Sequence, residues 1–518
     1  MPQYPSIFND VIGPVMIGSS SSHTAASVRI GHLIRQLAGG PVQRIEVVYD
    51  SEGSVAAAHL SQFVDSALLA GMLGYAPSDR EVCDGFSLAE NAGIVYSFSV
   101  QKVGPGHPNT YYAKLLRLDG REVNLTAISI GGGMVQVITY QGFPLLIEGG
   151  FHELLLVCQT SQCESTYQSL KPFLPEKHVL QHLENGDLSL LQIQSEEPLK
   201  THELQQVAKD CVILQPILPV TSQLEPTVPF NTAKGILEYA DGHPDLALWQ
   251  LALIYESRRS GESESQVFAR MQSIVRILRS SLETPLREDV SPRILPNQSK
   301  LLDGGTALLG GRHQRLVIEY VTRFMDIKTS LSVIVAAPTA GACSCLPGTI
   351  FALGEELSLE EDRLTEAFLA AGLVGMLIAA HSTFAAELAG CQAECGAGSG
   401  MAAAACGQIL GAVPSACLAA ASMALQNIFG LTCDPVAMRV EVPCLGKNIM
   451  SAFNGIACAN MAVSGFAEVI PLDETIAAFD ATGRALPREL RCTGLAGLSV
   501  TPSGKQWTMD NGQWLIDN

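Results

Sequence analysis

The chain has 518 residues and carries 51 acidic against 32 basic side chains, which gives a formal net charge of −19. This acidic balance argues against nucleic acid as a partner, because phosphate binding requires clustered lysine and arginine. Hydrophobic residues make up 47% of the chain and charged residues only 16%, so extensive disorder is excluded and large buried cores are predicted.

The first 150 residues are predicted to form a mixed α/β domain. A serine-rich loop leads into a helix over residues 24–37, and a second helix is predicted over residues 64–73, where apolar residues recur at helical spacing. Strands are predicted at three apolar runs: residues 45–49, 93–98 and 135–140.

Residues 151–220 are predicted to form a small module of their own. Its elements follow the order strand, helix, strand, strand, helix, strand, which is the order of a ferredoxin-like regulatory module. Proline and polar residues over 216–229 are typical of a linker. The predicted elements of the module are residues 152–159, 162–174, 178–182, 188–194, 201–209 and 211–218.

Residues 230–505 are predicted to form a large all-α domain. Residues 395–433 of this domain contain no charged side chain, and that length would allow a membrane span. The run contains six glycines and a proline and lacks dense leucine and isoleucine, so a buried helical core is predicted and no membrane contact. The predicted helices are residues 246–258, 265–282, 313–324, 364–388, 401–410 and 448–466.

The distribution of cysteine indicates where the chemistry lies. Ten of the 14 cysteines fall between positions 343 and 492. The first residues show neither the basic nor the apolar segment of a secretory signal, so the protein is predicted to be cytoplasmic, where thiols stay reduced. Clustered thiols in that compartment indicate metal binding, redox chemistry or apolar packing.

Four segments are candidate binding loops. Ser19–Thr24 places hydroxyls and a histidine directly before a helix, which favours a carboxylate or phosphate site, with an ordinary serine cap as the alternative. His107–Thr110 and the glycine loop Ser129–Gly133 are weaker signals, because a structural histidine and a tight hairpin explain them as well. The irregular break Ala337–Gly348 predicts either a pocket lining or a plain turn between helices.

Three cysteines form the strongest constellation. Cys391, Cys433 and Cys444 each stand at a junction between predicted helices, where loops from distant parts of the chain can converge. Three thiolates can hold an iron–sulfur cluster and leave one iron open, and an open metal is a Lewis acid that can accept a hydroxyl leaving group. Zinc with three cysteines and a water, or unreactive buried thiols, are the alternatives.

Together these motifs resemble the iron–sulfur-dependent L-serine dehydratases, in the form whose β and α parts are fused. The resemblance covers nearly the whole chain. The N-terminal matches are Phe8–Gly18, the Ser-Ser-Ser-His-Thr motif of 20–24, the His-Pro-Asn-Thr motif of 107–110 and the Ser-Ile-Gly-Gly-Gly loop of 129–133. The C-terminal matches are Pro338–Gly341, Gly390–Glu394, Cys433–Ala437 and Val440–Cys444.

The resemblance implies an α+β fold in three parts. Residues 1–150 would form the N-terminal mixed α/β domain of the allosteric substrate-binding type. Residues 151–220 would form a small ACT-like βαββαβ module, and residues 230–505 a large all-α cluster-binding domain. The family also implies a homodimer that acts on a small amino acid.

The resemblance further implies a [4Fe-4S] cluster held by Cys391, Cys433 and Cys444, whose open iron activates the β-hydroxyl of L-serine. The implied reaction removes water and then ammonia and yields pyruvate, without pyridoxal phosphate. The implied substrate-binding residues are Ser20, Ser21, Ser22, His23, Thr24, Thr339 and Asn448. The base that takes the α-proton stays unassigned among three candidates: His23, His59 and His107.

The chain departs from the family pattern at four places. Ser19 replaces a proline, and Gln62 stands where relatives carry the histidine of a Lys-Gly-His-x-Thr-Asp stretch, of which only Asp65 remains. Residues 299–305 replace a Ser-Gly-Leu-Thr-Gly-Gly loop, and Lys447 replaces an arginine, which loses bidentate carboxylate geometry. Two alternatives therefore stay open: a lyase for another β-substituted amino acid, such as an L-cysteine desulfidase, or a catalytically weak amino-acid-binding paralogue.

Overall fold

The computed structural model describes residues 4–104, 106–288, 290, 293–302 and 309–510. Helices account for 52% and strands for 16% of the chain, with sheets in the N-terminal part and helices in the C-terminal part. This arrangement confirms the predicted combination of α and β structure.

A six-stranded sheet forms the centre of the N-terminal part, in the order β3-β2-β4-β5-β6-β7. Only β2 and β3 run parallel, and the remaining neighbours are antiparallel. The elements in chain order are β1 (Val15–Ile17), α1 (Ala26–Leu37), β2 (Val42–Asp50), α2 (Ser54–Ala58), α3 (Val64–Leu73), α4 (Gly85–Asn91), β3 (Val95–Gln101), β4 (Thr110–Arg117), β5 (Glu122–Gly131), β6 (Met134–Tyr140) and β7 (Phe143–Ile147).

Two glycines allow α1 and α3 to pack in direct backbone contact. A Cβ at Gly31 would collide with the Leu68 carbonyl, and a Cβ at Gly71 would collide with the Val28 carbonyl. This packing fixes the position of α1, and the serine loop leads directly into the first residue of that helix. The predicted helix over 64–73 is confirmed as α3. The predicted strands over 45–49 and 135–140 are confirmed within β2 and β6, whereas the strand predicted over 93–98 begins two residues later, as β3.

The second part has the predicted order of elements. Its antiparallel sheet has the strand order β11-β8-β10-β9. Leu154 and Ile193 face the core of this module, whereas Leu155 and Leu190 join the core of the six-stranded sheet. Contrary to the expectation of reduced thiols, Cys158 and Cys163 form a disulfide. The elements are β8 (His152–Gln159), α5 (Cys163–Leu170), β9 (His178–Asn185), β10 (Leu188–Ser195), α6 (Thr201–Val207) and β11 (Val212–Leu214).

Where the structure describes it, the third part is helical apart from the strand β12. Helix α14 packs against α11, α12, α15 and α16, so it lies at the centre of this part. The elements are α7 (Ala233–Asp241), α8 (Leu248–Ser260), α9 (Glu264–Glu283), α10 (Gly311–Thr329), β12 (Val333–Val335), α11 (Cys345–Glu356), α12 (Glu361–His381), α13 (Ala386–Ala389), α14 (Cys395–Ile409), α15 (Pro414–Gln426), α16 (Cys444–Val463), α17 (Leu472–Ala485) and α18 (Pro502–Asp510).

The apolar helices belong to the protein core. Every residue of α14 is buried, which confirms a buried helical core for the uncharged run. Among the described residues, α12 alone is long and apolar enough to cross a membrane, and 83% of its most apolar stretch is buried inside the protein. This helix is therefore accounted for by core packing.

The N-terminus of the chain joins the sheet part to the helical part. Strand β1 pairs antiparallel with β12, and Ile7 and Val11 pack in the core of the helical part, against glycines of α12. The serine loop that follows β1 is thereby held against the helices. Loops from both halves of the chain meet at this junction.

Candidate active site

Three loops between helices carry the cysteines that were predicted as metal ligands. Cys391 follows Gly390, whose positive φ of 73° and close approach to the Leu431 carbonyl leave no room for a Cβ. Cys433 lies in a loop after α15, and Cys444 is the first residue of α16. All three cysteines are buried.

The thiols of these loops converge. The Sγ atoms of Cys391 and Cys433 and a carboxylate oxygen of Glu394 lie within 4.8 Å of one another. Burial raises the pKa of Cys444, and the charge of the nearby Cys391 raises it further. Hydrogen bonds with the Cys395 and Cys433 thiols hold the pKa of Cys391 well below its ordinary value, although burial opposes this shift.

This donor set suits a soft metal centre. The thiolate is the form of cysteine that binds metals, and the nearby Lys447 and Lys328 lower the pKa of Cys391 further. Thiolates select zinc or iron–sulfur clusters over magnesium and calcium, which prefer oxygen ligands. The described residues therefore contain a cysteine-rich group that can bind a metal.

A further thiol at this centre was missed by the sequence analysis. The Cys492 N–H donates a hydrogen bond of 2.9 Å to the Cys433 carbonyl, and the two thiols also interact. Cys492 has a positive φ of 59°, which a residue with a Cβ seldom adopts. Its only signal in the sequence is its position at the end of the cysteine-rich region.

Two polar residues predicted to bind substrate connect the loops around the thiols. Thr339 donates a hydrogen bond of 2.6 Å to Glu394, and burial raises the pKa of Glu394 to about 8. Asn448 donates hydrogen bonds of 2.8 Å to the Gly341 carbonyl and 2.9 Å to the Cys444 carbonyl. Both side chains therefore have partners within the protein.

The serine loop lies beside a carboxylate from the helical part. The hydroxyl oxygens of Ser20 and Ser22 are 3.1 and 3.2 Å from Nδ1 of His23. Ser22 also donates a hydrogen bond of 2.8 Å to Oε1 of Glu387, and the same oxygen is 3.6 Å from Nδ1 of His23. The sequence analysis did not identify Glu387.

A break in a predicted helix brings this carboxylate into place. The helix predicted over 364–388 is wrong at its C-terminal end, because α12 ends at His381 and Ser382 leaves the helical region with φ −145° and ψ −149°. The Thr383 hydroxyl then accepts a hydrogen bond of 3.0 Å from a backbone N–H two residues further on. The short helix α13 follows and carries Glu387.

Two other hydroxyls of the serine loop, those of Ser21 and Thr24, hold it in place, whereas the Ser19 hydroxyl is buried without a partner among the described residues. Ser21 Oγ accepts a hydrogen bond of 3.1 Å from the Ala340 N–H in the opposite loop. Thr24 donates a hydrogen bond of 2.8 Å to the Gln62 carbonyl. These contacts fix the loop against both halves of the chain.

Several buried polar atoms around His23 have no hydrogen-bond partner among the described residues. They are Nε2 of His23, both amide atoms of Asn109, the hydroxyl of Ser129 and Oε2 of Glu387. Burial lowers the pKa of His23, while Glu387 and Asn109 oppose that shift. Since buried polar groups without partners are costly, their clustering indicates a place for a polar ligand.

A cavity of about 240 Å³ opens at this place. His107 and Glu387 line it, together with the cationic Arg488 and Arg491. Burial lowers the pKa of His107. The His107–Thr110 motif therefore lines this cavity, and the serine loop is connected to it through the hydrogen bond from Ser22 to Glu387.

His59 has a different environment. Its Nδ1 lies 2.9 Å from Oδ2 of Asp65. The other carboxylate oxygen, Oδ1, accepts a hydrogen bond of 2.8 Å from the Tyr49 hydroxyl. Gln62, at the position of the family histidine, donates a hydrogen bond of 2.8 Å to the Met438 carbonyl. The loop that carries Gln62 is thereby attached to the helical part near the thiols.

Two of the remaining departures from the family pattern, at Lys447 and Ser299, have structural roles. Lys447 donates hydrogen bonds of 2.6 Å to the Thr432 carbonyl and 2.9 Å to Asp434, and so holds the loop of Cys433. Ser299 donates a hydrogen bond of 2.6 Å to Asp326. Positions 303–305 of the altered loop lie outside the described residues.

Comparison with known proteins agrees with this joining of two parts. The family model "Serine dehydratase alpha chain" matches residues 243–499. The probable L-serine dehydratase alpha chain of Bacillus subtilis is 30% identical over 285 residues, which are 54% of this chain and 93% of the relative. The L-serine dehydratase alpha chain of Peptoniphilus asaccharolyticus is 30% identical over 291 residues, 54% of this chain and 97% of the relative.

The beta chain has a counterpart as well. The probable L-serine dehydratase beta chain of Bacillus subtilis is 35% identical over 220 residues, which are 41% of this chain and 97% of the relative. Sequences that are separate alpha and beta chains in that organism therefore both have counterparts within this one chain.

Proposed function

The chain belongs to the L-serine dehydratase family, as a fusion of the alpha and beta parts, and from this membership we propose how its residues act on L-serine. The reaction removes the α-proton and the β-hydroxyl as water, and the resulting aminoacrylate converts to an imine that water hydrolyses to pyruvate and ammonia. One observation supports this assignment most directly: the thiol loops, the serine loop and a group of unpartnered polar atoms meet where the two halves of the chain join.

For the cofactor, we propose a [4Fe-4S] cluster bound by Cys391, Cys433 and Cys444. The closeness of the buried Cys391 and Cys433 thiols supports this choice, together with the buried Cys444 thiol, which is near enough for the charge of Cys391 to act on it. When bound by three thiolates, such a cluster supplies an open iron that acts as a Lewis acid toward the β-hydroxyl. Cys395 stays a lining residue in this proposal, and Lys447 holds the loop of the second ligand.

Among the three candidate bases, we assign proton abstraction to His23. Its Nε2 is buried and makes no hydrogen bond of normal geometry among the described residues, although the Asn109 side chain interacts with the ring, and its Nδ1 side is oriented by Ser20 and Ser22. Burial lowers the pKa of His23, so its ring is neutral at pH 7 and can accept a proton. His59 is already paired with Asp65, and His107 lies along the cavity wall.

Ser20 and Ser22 are then the hydroxyls of the serine loop closest to the reacting groups, because both contact His23. Ser21, Thr24, Thr339 and Asn448 act by positioning: each uses its side chain to connect loops of the site. The buried surroundings limit the access of water, so the α-proton is transferred within an enclosed site.

Several broader features complete the proposal. The N-terminal part corresponds to the allosteric substrate-binding type of domain, and the βαββαβ module to an ACT-like regulatory unit, which its sheet order β11-β8-β10-β9 supports. We place the enzyme in the cytoplasm, in amino-acid catabolism that supplies pyruvate for gluconeogenesis. We also propose a homodimer, which light scattering on the purified protein tests.

Anaerobic assay of the reconstituted protein tests the function. L-serine, L-threonine and L-cysteine are supplied in turn, and keto acid, ammonia and sulfide are measured. Pyruvate and ammonia in equal amounts from L-serine are expected. Sulfide from L-cysteine as the faster reaction would instead assign a desulfidase, and no turnover with a complete iron complement would assign an amino-acid-binding paralogue.

A further inference from the structure

The buried carboxylate of Glu387 has a hydrogen-bond donor at only one of its two oxygens among the described residues. Its side chain is only 2% exposed. Oε1 accepts the hydrogen bond from Ser22, whereas Oε2 has no partner among the residues that the structure describes. A buried carboxylate oxygen without a donor loses its hydration without compensation, so a ligand that donates to it would stabilise the site.

The neighbouring cationic groups do not supply that donor. His23 lies 3.6 Å from Oε1, on the side of the carboxylate that Ser22 already occupies. Arg488 and Arg491 line the same cavity, but each guanidinium donates to a backbone carbonyl, at 2.6 Å and 3.1 Å respectively. Oε2 of Glu387 is therefore free to meet a cation that enters from the cavity.

We propose that Glu387 binds the α-ammonium group of the amino-acid substrate and so determines the specificity of the site for amino acids. This inference rests on the proposed function. A free amino acid carries a positive ammonium and a negative carboxylate, and the cavity lining has groups of both signs. Arg488 and Arg491 are the cations. Of the three carboxylates, Asp50 already accepts two backbone hydrogen bonds and Glu52 is paired with Lys102, which leaves Glu387 for the ammonium. Charge-assisted hydrogen bonds of this kind are the strong ones in a buried site.

The position of Glu387 also connects the binding of the ammonium group to the placement of the α-carbon near His23. The carboxylate that holds the ammonium also contacts Ser22 and lies beside His23. An ammonium bound at Oε2 would fix the α-carbon, to which it is attached, near the ring that takes the α-proton. Glu387 would thus select the substrate and orient it in one contact.

Two unreactive probes test this inference on the intact reconstituted enzyme. L-alanine and L-lactate have the same carboxylate and methyl group and lack a β-hydroxyl, but only L-alanine has an ammonium. Their dissociation constants are measured by calorimetry, so that no turnover is required. We expect the wild-type enzyme to prefer L-alanine by about tenfold to a hundredfold, as for one hydrogen bond to a charged group.

The variant Glu387→Gln keeps the shape and removes the charge, so the preference for L-alanine should fall to about twofold or less. Glu387→Asp should keep part of it. Glu52→Gln is the matched control, because Glu52 lines the same cavity but is exposed and paired with Lys102, and it should retain the wild-type preference.

The outcomes separate this inference from the proposed function. Equal affinity of the wild-type enzyme for both probes overturns the role of Glu387 without any variant, as does an unchanged preference in a folded Glu387→Gln protein. Serine turnover is measured independently on the wild type. Turnover without the preference refutes only this inference, whereas the preference without turnover refutes only the dehydratase assignment.

Discussion

Ser22 donates a hydrogen bond of 2.8 Å to Glu387, a residue 365 positions further along the chain. The first belongs to the loop before α1 and the second to α13, so this bond crosses from the sheet part to the helical part. It lies among buried polar atoms that lack partners. The active site is therefore a property of the junction, and neither part would contain it alone.

Replacing Ser22 by alanine should weaken catalysis more than stability. The variant removes a hydrogen bond to a carboxylate and one contact with His23, so kcat/KM should fall about tenfold to a hundredfold. Ser21→Ala is the control, because the Ser21 hydroxyl bonds the opposite loop, at the Ala340 N–H, and contacts neither His23 nor Glu387 among its hydrogen bonds. An equal loss of kcat/KM in both variants would contradict the particular role of Ser22.

Replacing His23 by glutamine should remove the base. We expect kcat to fall by about 10² to 10⁴, the range for loss of a general base, while iron content stays at the wild-type level. His59→Gln and His107→Gln should reduce kcat much less. If either of these variants loses more activity than His23→Gln, the base has been assigned to the wrong histidine.

The pH dependence of kcat/KM should reflect a histidine with a lowered pKa. Burial lowers the pKa of His23 from its ordinary value of 6.5, so the ring stays neutral at pH 7 and the acidic limb of the profile should lie below pH 6.5. Glu387 is the charged group that faces this ring and raises its pKa. Glu387→Gln should therefore move the acidic limb to still lower pH, and a shift to higher pH would contradict the assignment.

Much of the fold follows from local patterns in the sequence. The apolar pattern predicted α3 at its observed bounds and β8 likewise, because both segments are apolar runs that are largely buried on both faces and have clear ends. The order of elements in the small module was also predicted. The strands β4, β5 and β7 were not predicted, since their burial alternates with partly exposed residues and depends on neighbours in the sheet.

The candidate site was harder to predict because it depends on tertiary contacts. The serine loop and the three cysteines stand out by residue type, and the structure places both sets at the junction. Glu387 lies within a segment whose pattern predicts an unbroken helix, and only the break at Ser382 brings it to Ser22. Cys492 is likewise recognised only from its contact with Cys433.

The close packing of α1 on α3 should be sensitive to a single methyl group. Gly71→Ala would place a Cβ against the backbone of Val28, which cannot move aside as a side chain could. We expect a loss of about 1–3 kcal/mol in the free energy of unfolding, measured by denaturant titration. Gly242→Ala, whose nearest neighbour is 3.6 Å away, should change it by less than about 0.5 kcal/mol.

Cys433→Ser should abolish cluster binding. The reconstituted variant should lose the broad absorbance at roughly 400 nm that thiolate-bound iron clusters show, together with most of its iron. Cys395→Ser is the matched control, because its thiol is equally buried and also contacts Cys391, yet it is assigned as a lining residue. That control should keep both colour and iron. If Cys433→Ser keeps its iron while Cys395→Ser loses it, the two thiols must exchange roles, and the ligand set would be Cys391, Cys395 and Cys444.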